Sequence, residues 1–284
     1  MSETVFFIWH FTAVRSRILD NGLNAIYRNM YEDINRSDFV LVGIGEEMQF
    51  DWNILSDDKR YNEIAEDKNA EAVIPYFQKY IINRYHNPEI DEAYEALKDL
   101  ISDKNYFIVS TLIDDIIYSH GFDPGRIVTP CGGYRQLQCS ADSTHGLMAV
   151  PEHYMDEIAG YYNMENGSIP EPLLCDECGA LMMMNQIGMD NYAENGYLDR
   201  WKGYMEWLRD TVNHSICVIE LGEGLRFPTV IRNPFEKIIA YNLKSRFYRV
   251  NETLFQISST IAERSCEIRC NALDFMSDFK LSED

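Results

Sequence analysis

Basic residues are scarce in this chain of 284: 25 lysines and arginines stand against 46 aspartates and glutamates, a formal charge of −21 at pH 7. Such a field repels a phosphate backbone and an anionic lipid surface, so nucleic acid and membrane are not the expected partners, and a protein with a basic surface is favoured. No apolar run approaches the roughly 20 residues of a membrane-spanning helix. The start, MSETVFFIWHF, has neither a basic leader nor a small-residue cleavage site, so the expected location is the cytoplasm. Seven cysteines, an odd number, then read as reduced thiols or metal ligands rather than a disulfide framework. Internal repeats and low-complexity tracts are absent as well. With 46% apolar and 13% aromatic residues, the chain has ample material for a core.

What is present alternates between two periodicities. Apolar residues at helical spacing from about Phe11 to Met30 predict a first helix. DFVLVGIG follows, a short apolar run closed by glycines, which suits a central parallel strand covered on both faces. Residues 46–67 are acidic and poorly periodic and read as a loop, and helical spacing returns over Ala72–Ile82 and Ile90–Ile101. YFIVS predicts a second buried strand, residues 113–120 a short helix and RIVTP a third strand. About 50 residues rich in cysteine, glycine and methionine come next and read as an inserted module. Tyr197–Val212 predicts a helix, ICVIELGEG a strand with a glycine turn, and IIAYNL a further strand; Cys266 and Cys270 are expected on a last helix. Strands alternating with helices over this length predict an α/β fold.

Three groups of residues carry chemistry. Gly43, Ile44 and Gly45 end the first strand, where glycines let a backbone approach a phosphate; a plain tight turn is the other reading. Glu46 and Glu47, next in line, set two carboxylates where a pyrophosphate would lie unless they point away. Cys175 and Cys178 have C-x2-C spacing and Cys139 lies 36 residues before them. Zinc needs a fourth ligand, and His145 is the available substitute for a missing cysteine; a set of free thiols is the alternative. Cys131 would need a nearby cation or a helix N-terminus to act as a nucleophile, and with only Arg135 close by a small buried residue is the better reading. His120 and the run Met182–Met184 read as packing or surface residues.

Taken in order, the strand with GIG, the strand with STLID, the CGG turn, the cysteine module and LGEGLRFPTVIRNPF resemble the sirtuin (Sir2) family over about residues 12–245. GFDPGRI and YRQLQCS are most similar to its bacterial macrodomain-linked branch. The resemblance implies a Rossmann-like doubly wound parallel sheet over residues 12–133 and 187–284, with a small inserted zinc-ribbon-like module at 134–186. It implies NAD as cofactor, held by Gly43, Ile44, Gly45, Thr111, Ile113, Asp114, Gly222, Gly224 and Asn242, and zinc held by Cys139, His145, Cys175 and Cys178.

The family's T-Q-N-x-D signature falls on Ser110–Asp114, which keeps Asp114 for the nicotinamide carboxamide but puts Leu112 in place of the asparagine. Its catalytic histidine falls on Cys131. An alkyl group cannot orient a ribose or a water, and a neutral thiol is a poor proton carrier near pH 7. The expected function is therefore that of a divergent NAD- or ADP-ribose-binding protein, an ADP-ribosyltransferase or NAD-cleaving enzyme with little or no lysine deacylase activity. The alternative is an inactive sensor or protein scaffold.

Overall fold

The first apolar run is buried from end to end, and its alternate side chains enter two different cores. This is why the sequence shows no polar alternation there. In a computed structural model that describes residues 22–165 and 167–279, strand β1 (Phe39–Ile44) sends Val40, Val42 and Ile44 into one core and Phe39 and Leu41 into the other. It lies at the centre of a six-stranded sheet with β2 (Tyr106–Ser110), β3 (Ile127–Val128), β7 (Ile216–Leu221), β8 (Ser245–Val250) and β9 (Ser265–Ile268). The order is β3-β2-β1-β7-β8-β9 and every pairing is parallel. That is the doubly wound order, reversing between β1 and β7, and the crevice beyond the carboxyl ends of those two strands is where such sheets take ligands.

Helices cover both faces. On one lie α1 (residues 22–36), α5 (Pro88–Ile101) and α9 (Ala272–Ser277); on the other lie α7 (Asn195–Asp210) and α8 (Arg232–Tyr241). The α5 sequence shows why it forms: the Asn87 side chain accepts the Glu89 N–H, Pro88 takes the first helical position, and Ile90, Ala93, Tyr94 and Leu97 make one buried stripe. The part of the first predicted helix before residue 22 lies outside the described residues.

The antiparallel sheet β5-β4-β6, built from β4 (Gly132–Cys139), β5 (Leu147–Ala149) and β6 (Met182–Gln186), sits between β3 and α7 in the chain. It packs with α6 (Glu152–Tyr162) and with three helices from an earlier segment, α2 (Asn53–Asp57), α3 (Lys59–Ala65) and α4 (Ile74–Arg84). Phe50, Tyr76 and Phe77 from that segment share one core with Leu137, Tyr154 and Met184.

Three expectations fail. Residues 46–67 are not a loop: a 3₁₀ turn, α2 and α3 occupy them, α3 starting where the Asp58 side chain accepts the Tyr61 N–H. IIAYNL is no strand. Phe235, Ile238 and Ile239 have helical spacing and complete α8, while the strand is SRFYRV, whose charges hide it. Its Arg249 is fully buried because Glu220 on β7 accepts two hydrogen bonds from its guanidinium, at 2.7 and 2.9 Å, and Glu236 accepts another at 2.8 Å. Cys266 lies on β9 and Cys270 just before α9, so they do not share a helical face.

Candidate functional site

The two glycine turns at the switch point interlock. Gly45 follows β1 and donates its N–H to Leu221 O at 2.9 Å; a Cβ at Gly45 would run into the backbone of Glu223. Gly222 follows β7 with φ +65°, and a Cβ there would stand 2.5 Å from that of Glu47. Both positions exclude a side chain, the first by contact and the second by backbone conformation as well. Glu47 turns away from the crevice: its two carboxylate oxygens accept the Glu252 and Ala272 N–H groups at 2.9 Å each. Glu46 stays at the crevice, beside Gly224.

The crevice contains a cavity of about 220 Å³ lined by Glu46, Thr111, Leu112, Ile113, Tyr134 and Arg226, among others. Among the described residues its one lining cation is Arg226, and Leu112 presents an alkyl wall that also packs in the core. Thr111 donates its N–H to Ile44 O at 3.0 Å and its hydroxyl to Glu223 at 2.8 Å. Asp114 lies below, nearly fully buried, with both oxygens engaged by the N–H groups of Phe50 and Ile116 at 2.8 and 3.1 Å. It thereby ties the loop after β1 to the loop after β2. Burial holds its carboxyl above the usual range.

Cys131 is buried, and burial, helped by the charge of Glu223, pushes its thiol up to about 12. It is therefore a neutral thiol at pH 7, not a nucleophile or a base. Gly43, Ile44, Gly45, Thr111, Leu112, Ile113, Gly222 and Gly224 meet at this end of the sheet, with Cys131 and Asp114 beside and beneath them. Asn242 does not join them. With IIAYNL helical, it caps α8 before β8 begins, at the amino ends of the strands and away from the crevice, and its amide donates to His214 O at 3.0 Å. His120 also stands apart, stacked on Tyr94 and within 3.0 Å of Asp91.

Glu223 is the residue that sequence reasoning missed; its only signal is a carboxylate between two glycines at a strand end. Burial, with the charges of Glu220 and Glu46, pushes it up to about 8 against the opposing hydrogen bond from Thr111. Below that pH the group is a neutral acid, so the crevice carries less negative charge than its formula. Between the ordinary value of 4.5 and about 8 the folded chain holds a proton that the unfolded chain has lost. This contribution to stability is thus complete below pH 4.5 and lost as pH rises to about 8. Urea midpoints at pH 5, 7 and 9 are expected to fall less steeply with pH in Glu223→Gln than in the wild type; equal slopes would contradict the assignment.

At the far end of the small sheet, Cys139, His145, Cys175 and Cys178 bring one ligand atom each to within 4.8 Å of one another. Cys139 Sγ and Cys178 Sγ are 3.5 Å apart, and Cys175 Sγ and His145 Nδ1 are 3.6 Å apart. Sulfur ligands at about 2.3 Å from zinc in a tetrahedron stand about 3.8 Å apart, so three thiols and an imidazole fit this ion. Gly179, with φ +74°, closes the turn that aims Cys175 and Cys178 at the same point. His145 Nε2 faces Asp142 at 3.8 Å, the outer carboxylate expected for a metal-bound imidazole.

An open parallel sheet of this order, with a crevice at its switch point and a Cys₃His cluster beside a small antiparallel sheet, defines a doubly wound α/β architecture. The fold is that of the Sir2 proteins. A Sir2 homologue in complex with NAD aligns at TM-score 0.52 and 14% identity, over 89% of this chain and 91% of that one. A mutant Sir2 homologue in complex with ADP-ribose aligns at 0.51 and 14%, over 88% and 94%. Sir2Af2 bound to a myristoylated histone peptide aligns at 0.50 and 13%, over 89% and 94%. In sequence, the chain is similar to a protein ADP-ribosyltransferase of Staphylococcus aureus, 23% identical over 197 residues, which make up 67% of this chain and 61% of the relative. No protein-family model matches the chain. Among the described residues no helix is long and apolar enough to cross a membrane.

Proposed function

We propose that the crevice between β1 and β7 binds NAD or ADP-ribose, and that the protein transfers ADP-ribose from NAD or cleaves NAD, with little or no lysine deacylase activity. The observation that carries this reading is the interlock of Gly45 with the turn at Gly222–Gly224, which brings two turns without side chains together at the switch point of a Sir2 fold, where such sheets take ligands. Arg226 supplies the cation for the pyrophosphate, Glu47 points away, and the neutral acid at Glu223 lowers the negative charge of the crevice, with Glu46 left beside Gly224. NAD, when bound, supplies the ADP-ribosyl group, with nicotinamide as leaving group.

The chain's own residues bind and orient more than they move protons. Thr111 and Ile113 line the crevice, and Asp114 braces the loops around it through backbone amides. Leu112 offers no hydrogen bond to a ribose, and the Cys131 thiol stays protonated, so deacylation, which needs a ribose hydroxyl activated by a base, is disfavoured. The same two residues favour a second reading, an NAD or ADP-ribose sensor that does not turn its ligand over. The likeness to Sir2Af2 in its peptide complex supports a protein as acceptor or partner, and the charge of −21 favours one with a basic surface. Zinc at the Cys₃His cluster would fix the small sheet, as thiolate ligands of a cytoplasmic protein can.

Calorimetric titration with NAD and with ADP-ribose tests the proposal. The expected result is micromolar binding, about 7–9 kcal/mol, with nicotinamide release but no deacetylation of an acetyl-lysine peptide. Binding without nicotinamide release would select the sensor. No binding at millimolar ligand would remove both.

A further inference from the structure

A second and larger cavity, about 480 Å³, lies across β4 from the first. Gly132, Gly133, Arg135 and Gln136 line it, whereas Tyr134 among them lines the nucleotide crevice, in the stretch where β4 departs from regular pairing with β6. The two cavities therefore share a wall one strand thick, beside Cys131. The volume lies within the range of pockets that hold small molecules or substrate side chains.

The lining of this cavity has the wrong sign for the chain it belongs to. Lys79 from α4, Arg135 from β4 and Arg200 from α7 converge on it, and among the described residues Asp115 is its only acidic lining residue. None of the three cations is in an ion pair among the described residues, although arginines and lysines elsewhere in the chain are. Three cations against one carboxyl, in a chain of formal charge −21, do not arise from composition. Arg135 is also held in place: its guanidinium lies 3.8 Å from the centre of the Tyr118 ring.

Asp115 offsets only part of the group, one carboxyl acting on Arg135 and Lys79. Its backbone is left-handed, with φ 62°, and its carboxylate accepts the Tyr134 N–H, so it serves the wall between the cavities. Burial, with the charge of Asp114, pushes it up to about 7. Lys79 in turn is lowered by burial, with the charge of Asp115 opposing that shift and Arg135 adding to it.

We propose that this cavity holds an oxyanion, a carboxylate or a phosphate, carried by the second substrate of the reaction in the neighbouring crevice and gripped by Arg135, Arg200 and Lys79. Arginines suit the task because their planar N–H pairs match the two oxygens of either group. The link to a reaction rests on the nucleotide reading above; the anion site itself does not. The surface charge of the chain selects basic partners at long range, whereas this pocket selects an acidic group at contact.

The test is calorimetry on the zinc-loaded full chain in chloride buffer, with inorganic phosphate, succinate and, as a neutral control, succinamide. Saturable binding of phosphate or succinate is expected, with none of succinamide, and the tighter of the two anions identifies the group. Arg135→Gln combined with Arg200→Gln, both exposed side chains, should weaken that binding by about tenfold or more while NAD affinity stays unchanged. The proposal is overturned if neither anion saturates by about 20 mM or if the double variant binds them as the wild type does. It is equally overturned if Arg226→Gln, and not the double variant, removes binding, because the anion would then sit in the nucleotide crevice. NAD titrated into the same samples separates the two readings: anion binding without NAD binding removes the nucleotide reading and leaves the pocket, and the converse removes the pocket alone.

Discussion

Gly45→Ala is expected to abolish measurable NAD and ADP-ribose binding, a loss of about a hundredfold or more, and to cost about 3 kcal/mol of stability. The obstacle to the new methyl group is the backbone of Glu223, which cannot swing aside as a side chain can. Relief requires the turn after β7 to separate from the turn after β1. That separation breaks the Gly45 N–H bond to Leu221 and moves the Thr111–Glu223 pair with it. Gly43→Ala is the matched comparison: its methyl would meet only side-chain atoms of Ile231 and Phe235, at 2.5 and 2.7 Å, which can shift. Titration with both ligands, beside urea unfolding of both variants, is the measurement. A Gly45→Ala protein that folds and binds NAD as the wild type does would place the nucleotide elsewhere.

Cys175→Ser is expected to reduce zinc from about one equivalent per chain to under about a tenth, because three remaining donors cannot close the tetrahedron. Elemental analysis reads the metal, and amide hydrogen exchange reads the consequence. Exchange should accelerate around Cys139–His145 and in the turn closed by Gly179, while β1, β2 and β7, buried in separate cores, keep their protection. The loss should stay local, because Phe77, Leu137 and Tyr154 give the small sheet apolar packing that does not depend on the ion. Wild-type protein purified without metal, or a variant that keeps its full equivalent, would count against the cluster as a zinc site.

What could be read from the sequence follows from where each element is buried. The runs FVLVGI, YFIVS and ICVIEL stand in the middle of the sheet with both faces covered, so their apolar character is nearly continuous and could be seen directly. SRFYRV could not be read that way, because Arg249 is tolerated only through Glu220, 29 residues away on the neighbouring strand. The short helices of residues 53–65 owe their form to a cap at Asp58 and to packing on β4 and β6, neither of which has a periodic signature. Within the site, the cysteine spacing and His145 were legible because metal ligands leave a spacing. Glu223 was not, since whether a carboxylate repels a phosphate depends on a protonation that only burial sets. The cation pocket was equally invisible, because Lys79, Arg135 and Arg200 are spread over more than 120 residues of chain and meet only through the fold.

The core of the small sheet has a consequence for how the chain reaches its native state. Ten of the eighteen buried residues of that core come from residues 50–82 and eight from residues 134–184, and between them the chain must lay down α5, β2 and β3. Tyr76 marks the join, its hydroxyl donating to Met182 O at 2.9 Å across 106 residues. A peptide spanning only the cysteine segment would lack Tyr76, Phe77 and Ile81, and would have the metal but not the apolar floor beneath it. The small unit is thus no autonomous folding unit. Its assembly requires long-range closure of the chain, whose loop entropy is lost before the contacts of this core are made.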